Sequence, residues 1–111
     1  MPTQERTIAY IVDQLTDIDG ISARKMFGEY DIWCNGKTVA LVCDDQLFIK
    51  LTARGRVLAE GADEVPPYPG AKPALRIDAE RWEEAEWLVK LVRATADALP
   101  PPKKKRMKSP P

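Results

Sequence analysis

Three groups of residues in this 111-residue chain have side chains that could do chemistry: two cysteines, several neighbouring carboxylates and two clusters of cations. Cys34 and Cys43 are the thiols. Asn35-Gly36 follows Cys34 and is a strong two-residue hairpin signal, because both residues tolerate positive φ. With that turn, Cys34 pairs with Lys37 and Cys43 falls opposite Gly28. The thiols are then about 20 Å apart along the strand, while a disulfide needs Cα atoms within roughly 7 Å. Two free thiols filling a sheet are expected. The alternative, a reactive thiol, lacks a cation beside either cysteine in sequence to lower its pKa. Asp44-Asp45 reads as turn chemistry, since a metal site needs several convergent oxygens. Glu83, Glu84 and Glu86 read as solvated helix surface. The chain has no histidine, which removes the usual general base, the commonest metal ligand and any Ser-His or Cys-His pair. No catalytic residue, metal or cofactor is expected.

The cations are unevenly placed. Lys103, Lys104, Lys105, Arg106 and Lys108 crowd the last nine residues, leaving twelve basic against seventeen acidic residues in 1–99, near −5. An acidic body is a poor general phosphate surface, whereas a polybasic arm attracts nucleic acid or anionic membrane without reading sequence. The bland reading of the tail is a solubilising end. In the body, Arg24-Lys25 stands out: on a strand the two point to opposite faces, one free for an ion pair with Glu29 or Asp31, the other for a ligand phosphate.

The elements that position these residues follow from periodicity. Residues 3–19 read as a helix with a stripe of Ile8, Ile11, Val12, Leu15 and Ile18, capped by Thr3 and stopped by Gly20. Residues 21–27 read as a strand. The hairpin follows, with Tyr30 opposing Leu41 and Ile32 opposing Val39 on a core face that holds both cysteines. Trp33, Val42 and Phe48 then cluster on the second face, as a surface for a helix or a partner chain. Keeping Leu47, Ile49 and Leu51 in the core requires an odd-length turn at residues 44–46. Thr52 caps a short helix, 53–60. Residues 62–73, with four prolines, read as a loop anchored by Tyr68. Residues 74–77 form a strand, and Asp78 caps a last helix, 79–99. Pro100-Pro101-Pro102 ends it, and 100–111 is too polar and proline-rich to fold alone. The expected fold is α+β: residues 1–99 form one domain, an antiparallel sheet built on a three-stranded meander plus extra strands, with N- and C-terminal helices packed on it. No run reaches the roughly 18 apolar residues of a membrane span, no secretory signal is visible, and the expected location is cytoplasmic.

The segments ARKMFG (23–28) and ALVCDDQLFIK (40–50), around the hairpin, resemble the amino-terminal domain of the TfoX/Sxy family over about residues 4–99. The resemblance implies an α+β domain similar to type III secretion chaperones, whose members often dimerise. It also implies kinship with competence regulators acting on transcription, although their carboxy-terminal helical domain has no counterpart here and Glu29 stands where the family often has glycine. The leading expectation is a non-enzymatic regulatory or protein-interaction module, with itself among the partners as a homodimer through Trp33, Val42 and Phe48 or the last helix. The second is a sequence-independent nucleic-acid binder using Arg24, Lys25 and the tail cations. A small enzyme is the third.

Overall fold

Positive φ at both turn residues shapes the meander. Asn35 and Gly36 adopt φ of 52° and 84°, the mirror-image turn that suits twisted strands. They join β2 (Glu29–Cys34) to β3 (Lys37–Cys43). Asp44 and Asp45 repeat the geometry at 53° and 59° and join β3 to β4 (Gln46–Lys50). β1 (Ile21–Met26) lies outside β2. In this computed structural model, which describes residues 3–26 and 28–100, the sheet has six antiparallel strands. Its order is β1-β2-β3-β4-β6-β5, with β5 at Asp63–Val65 and β6 at Ala74–Ile77. β5 falls inside the stretch expected to be a loop. It pairs with β6, and Arg56 holds Glu64 through a 2.8 Å ion pair.

The register of β3 differs from the expectation by one residue. Trp33 pairs with Thr38 but Ile32 pairs with Ala40, so Val39 is a β-bulge. Tyr30 therefore opposes Val42 rather than Leu41. Ala40 and Val42 turn into the main core, while Leu41 and Cys43 turn to the other face with Phe48. Cys34 and Cys43, expected on one face, are on opposite faces, both free and buried. The turn at Asp44-Asp45 has two residues, since Cys43 pairs with Gln46. The bulge and the even-length turn compensate, and Leu47 and Ile49 stay in the core.

The helices cover one face. α1 (Glu5–Gln14) contributes Ile8 and Ile11, followed in the next turns by Leu15 and Ile18. Thr3 does not cap it. The Thr3 hydroxyl is 2.5 Å from Glu29 Oε1 and 3.1 Å from Val42 O, and it accepts from Asp45 N. Asp45 supplies the cap instead: its Oδ1 accepts from Gln4 N at 2.9 Å and Thr7 Oγ1 at 2.8 Å. Thr52 caps α2 (Ala53–Leu58) as expected, accepting from Gly55 N at 2.9 Å. The last helix is shorter than 79–99. Residues Ala79–Arg81 form one 3-10 turn, with Arg81 N bonded to the Asp78 carbonyl rather than its carboxylate. The buried Trp82 indole donates to Ile77 O, Glu84 leaves helical geometry at ψ 71°, and α3 runs Ala85–Ala98. Lys37, beside the first hairpin turn, donates to the Ala96 and Leu99 carbonyls at 2.7 and 3.2 Å. Leu88, Leu91 and Val92 of α3 meet Ile32, Val42 and Ile49 of the sheet in the core. The α+β class, with helices from both ends packed on an antiparallel sheet, is as expected. No helix among the described residues is long and apolar enough to cross a membrane.

Candidate interaction face

Alternation along each strand sends every second side chain to the other face of the sheet, which no helix among the described residues packs on. Cross-strand register lays out its rows. Arg24, Asp31, Leu41, Phe48, Arg76 and Asp63 form the central row, flanked on one side by Ser22, Trp33 and Thr38 and on the other by Met26 and Glu29. The apolar centre is a small cluster of Cys43, Phe48 and Ala74, with Leu41 and Val65 against it. Pro67, Tyr68, Ala71 and Pro73 of the proline-rich loop line a groove with it, of about 1210 Å³, to which Leu51 and Leu99 also contribute. Tyr68 does not anchor the loop as expected; it is 55% exposed. Met26, at the opposite end, is 45% exposed. Two of the four exposed large apolar residues among those described thus line one groove.

The charges of the groove fall into two kinds. One oxygen of Glu29, Oε1, accepts from Thr3 N and Asp44 N, both at 3.1 Å. Asp31 is held above the ordinary carboxylate range because burial outweighs the attraction of Lys50 and Arg24. Lys50 and Lys72 line the groove and are exposed. Burial first, then Glu29, Asp31 and Asp44, push the Cys43 thiol up to about 11. Such a thiol is a poor nucleophile at neutral pH. Among the described residues no three His, Cys, Asp or Glu side chains gather to hold a metal ion.

The structure brings together some of the residues singled out from the sequence. Trp33 and Phe48 share the open face, with β3 between them. Val42 does not: it is fully buried beneath the helices, because the bulge at Val39 turned it over. Arg24 and Lys25 are exposed and diverge as expected. Arg24 faces Asp31 across the strand pair and stacks 5.1 Å from the Trp33 ring centre. Lys25 sits opposite Tyr30, on the helix side. Lys103, Lys104, Lys105, Arg106 and Lys108 lie outside the described residues, as does Phe27. Sequence reasoning missed Lys50, Lys72 and Met26 as parts of one groove. The only signal was the proline cluster, whose folding over the sheet is a tertiary fact.

Comparison with known proteins places the chain among sequence relatives. The model of the TfoX N-terminal domain matches residues 13–99. An uncharacterized 12.7 kDa protein in the trpE 5' region of Spirochaeta aurantia is 37% identical over 109 residues, spanning 98% of this chain and 94% of that protein. With the whole sheet, α2 and α3 inside residues 13–99, this chain belongs to the TfoX N-terminal domain family.

Proposed function

We propose that the chain is a non-enzymatic protein-interaction module of a regulatory kind, and that the open face of its sheet is the contact surface. The observation that carries this reading is the placement of Met26 and Tyr68. Both are large, apolar and exposed, and they stand at two ends of a groove with the Leu41–Phe48 cluster as its floor. Exposed apolar area concentrated on one concave face is a mark of an interaction site. Membership of a family related to transcriptional regulators supports the regulatory kind. The Cys43 thiol, held neutral by its surroundings, and a sequence without histidine speak for binding rather than catalysis.

The nucleic-acid reading draws on the exposure of Arg24 and Lys25 at the sheet edge. Against it, the body is near −5 and Arg24 is already engaged with Trp33.

The test is site-specific photo-crosslinking in the host cell. A benzophenone amino acid replaces Tyr68 in one variant and Val57, 74% exposed on α2, in another. The Tyr68 variant should give a discrete crosslinked protein that the Val57 variant lacks, and a band at twice the chain mass identifies a second copy. Equal labelling from both positions, or crosslinks to nucleic acid alone, defeats the reading.

A further inference from the structure

We propose that the chain's own basic segment occupies the groove: residues 100–102 lie on its apolar floor and residues 103–106 meet the carboxylates at its far end, so that a partner must displace them. The proposal rests on the interaction reading above and adds the regulation of that site.

The first argument is where the chain leaves the fold. α3 ends beside the start of β3, where the Lys37 ammonium donates to Leu99 O at 3.2 Å. Leu99 itself lines the groove, as do Thr38 and Leu51. Its φ of −78° and ψ of 150° are polyproline II values, and the three prolines that follow favour the same extended form. Leu41, Phe48 and the exposed Tyr68 ring give the groove an apolar, aromatic lining, the kind of surface on which polyproline segments dock.

The second argument is the position of the charges. The lining holds two carboxylates, Glu29 and Asp31, and two ammonium groups, Lys50 and Lys72. Their sum selects nothing, but they stand at different ends. Lys50 closes β4 and pairs with Ala74, and Lys72 precedes Ala74 by two residues, so both lie on the side where Leu99 enters. Glu29 opens β2 at the other end, and Asp44 follows β3 there. The bonds to Glu29 come from neutral donors through Oε1 and leave its charge in place. Glu29, Asp31 and Asp44 all act on the Cys43 thiol, and no cation offsets them at that point.

Spacing brings unlike charges level. Measured along β2 from Cys34, which pairs with Lys37, Asp31 is about 10 Å away and Glu29 about 17 Å, at roughly 3.3 Å per residue. A polyproline chain rising about 3.1 Å per residue from Leu99 brings Lys103 to about 12 Å and Lys105 to about 19 Å. The uncharged prolines therefore pass Lys50 and Lys72, and the cations arrive at Asp31 and Glu29. Tethering makes even a weak contact count: a short linker gives an effective concentration on the order of 1 mM, which half-fills a site with a Kd of about 1 mM.

The test places a nitroxide at residue 107 of the full chain through Met107→Cys and reads amide signals by NMR. Cys34 and Cys43 are buried, so brief labelling at pH 7 modifies the introduced thiol alone, which the protein's mass confirms. The expected result is a loss of at least about half the intensity at Glu29, Leu41 and Cys43, with Val57 on α2 unaffected. The signals should recover at 1 M salt, where the screening length is about 3 Å. A variant carrying Lys103→Glu, Lys104→Glu, Lys105→Glu and Arg106→Glu should abolish the loss and raise the yield of the Tyr68 crosslink in the cell severalfold. These substitutions touch no contact within residues 3–99, and a thermal melt checks that the domain is intact. Signal loss shared equally by Val57, loss unchanged in the reversed-charge variant, or loss seen only on a second, unlabelled chain overturns the proposal. A Tyr68 crosslink formed in equal yield by both forms overturns it too. If Tyr68 crosslinks nothing in either form while the groove signals are still lost, the interaction reading falls and the tail contact stands. If Tyr68 crosslinks a protein and no groove signal is lost, the interaction module stands and this regulation falls.

Discussion

Cys43 and Asp31 lie on the same face and are both pushed toward their neutral forms, chiefly by burial. At pH 8 a thiol with a pKa of about 11 is ionised in about one molecule in a thousand. Cys43 should therefore resist a soluble thiol reagent in the folded protein, with its rate climbing about tenfold per pH unit up to about pH 11. Stopped-flow labelling of a Cys34→Ala background measures this directly. For Asp31 the sign runs the other way from a paired surface carboxylate. Its folded pKa is raised, so the fold is favoured by protonation and disfavoured as the pH rises through the folded pKa. Asp31→Asn should raise the melting temperature at pH 7, and the gain should vanish below about pH 4, where the unfolded carboxyl is protonated too. A gain that persists at pH 3 refutes the burial argument. Neither behaviour was legible in the sequence. The free thiols were, because turn spacing alone kept them apart; which face Cys43 occupies was not, because it depends on a bulge.

The bulge shows what element-scale reading can and cannot reach. Thr38-Val39-Ala40-Leu41-Val42 carries small or apolar residues at every position. Either register buries apolar side chains, so periodicity cannot choose between them. Both hairpins, the first helix stripe and the α2 cap were legible because Asn-Gly, 3.6-residue spacing and Thr52 are local signals. The α1 cap was not, since its donor set and Asp45 are 41 residues apart. The bonds that Asp45 accepts, first from Gln4 N and then from Thr7, hold its carboxyl below the ordinary range. That linkage stabilises the fold above the unfolded pKa and is lost as the pH falls through the lower folded value. Asp45→Asn keeps the acceptor oxygen but removes the charge. It should be less stable than wild type at pH 7, and the difference should close as the pH falls below about 4; urea titrations at pH 7 and 3 decide. Gly20 makes a different element-level demand. Its φ is 83°, and a Cβ there would sit 2.1 Å from Asn35 Oδ1. Gly20→Ala should cost at least about 1–2 kcal/mol, from left-handed strain alone, measured by the same denaturant midpoint.

At the scale of the molecule the two sheet faces are unequal. The helix-covered face gathers most of the buried apolar residues, whereas the open face holds Cys43, Phe48 and Ala74. Ile49 is fully buried in the first and Phe48, next in sequence, is nearly so in the second. Ile49→Ala should cost about 2–5 kcal/mol, the usual range for a closed core site. Phe48→Ala should cost less despite the larger side chain, because water from the groove can fill the space. The reverse order in chemical denaturation would mean that the groove is closed in solution. The fold class was legible from the alternation of elements, and the groove was not, because the loop's return over β4 and β6 leaves no periodic mark.

Two side chains beside the hairpin turns reach over to the helices: Asp45 holds the start of α1 and Lys37 the end of α3. Each contact spans a long stretch of chain, 41 residues for Asp45 to Gln4 and 59 for Lys37 to Ala96. The hairpins need only short loops to close, so they can form early, while these clasps must wait for distant segments to arrive. They therefore belong to the descending side of the folding barrier. Removing Lys37's ammonium should accelerate unfolding and leave the refolding rate nearly unchanged. With both clasps intact the helix ends should open together with the sheet rather than fray, so their amides should exchange with solvent at the pace of the whole domain.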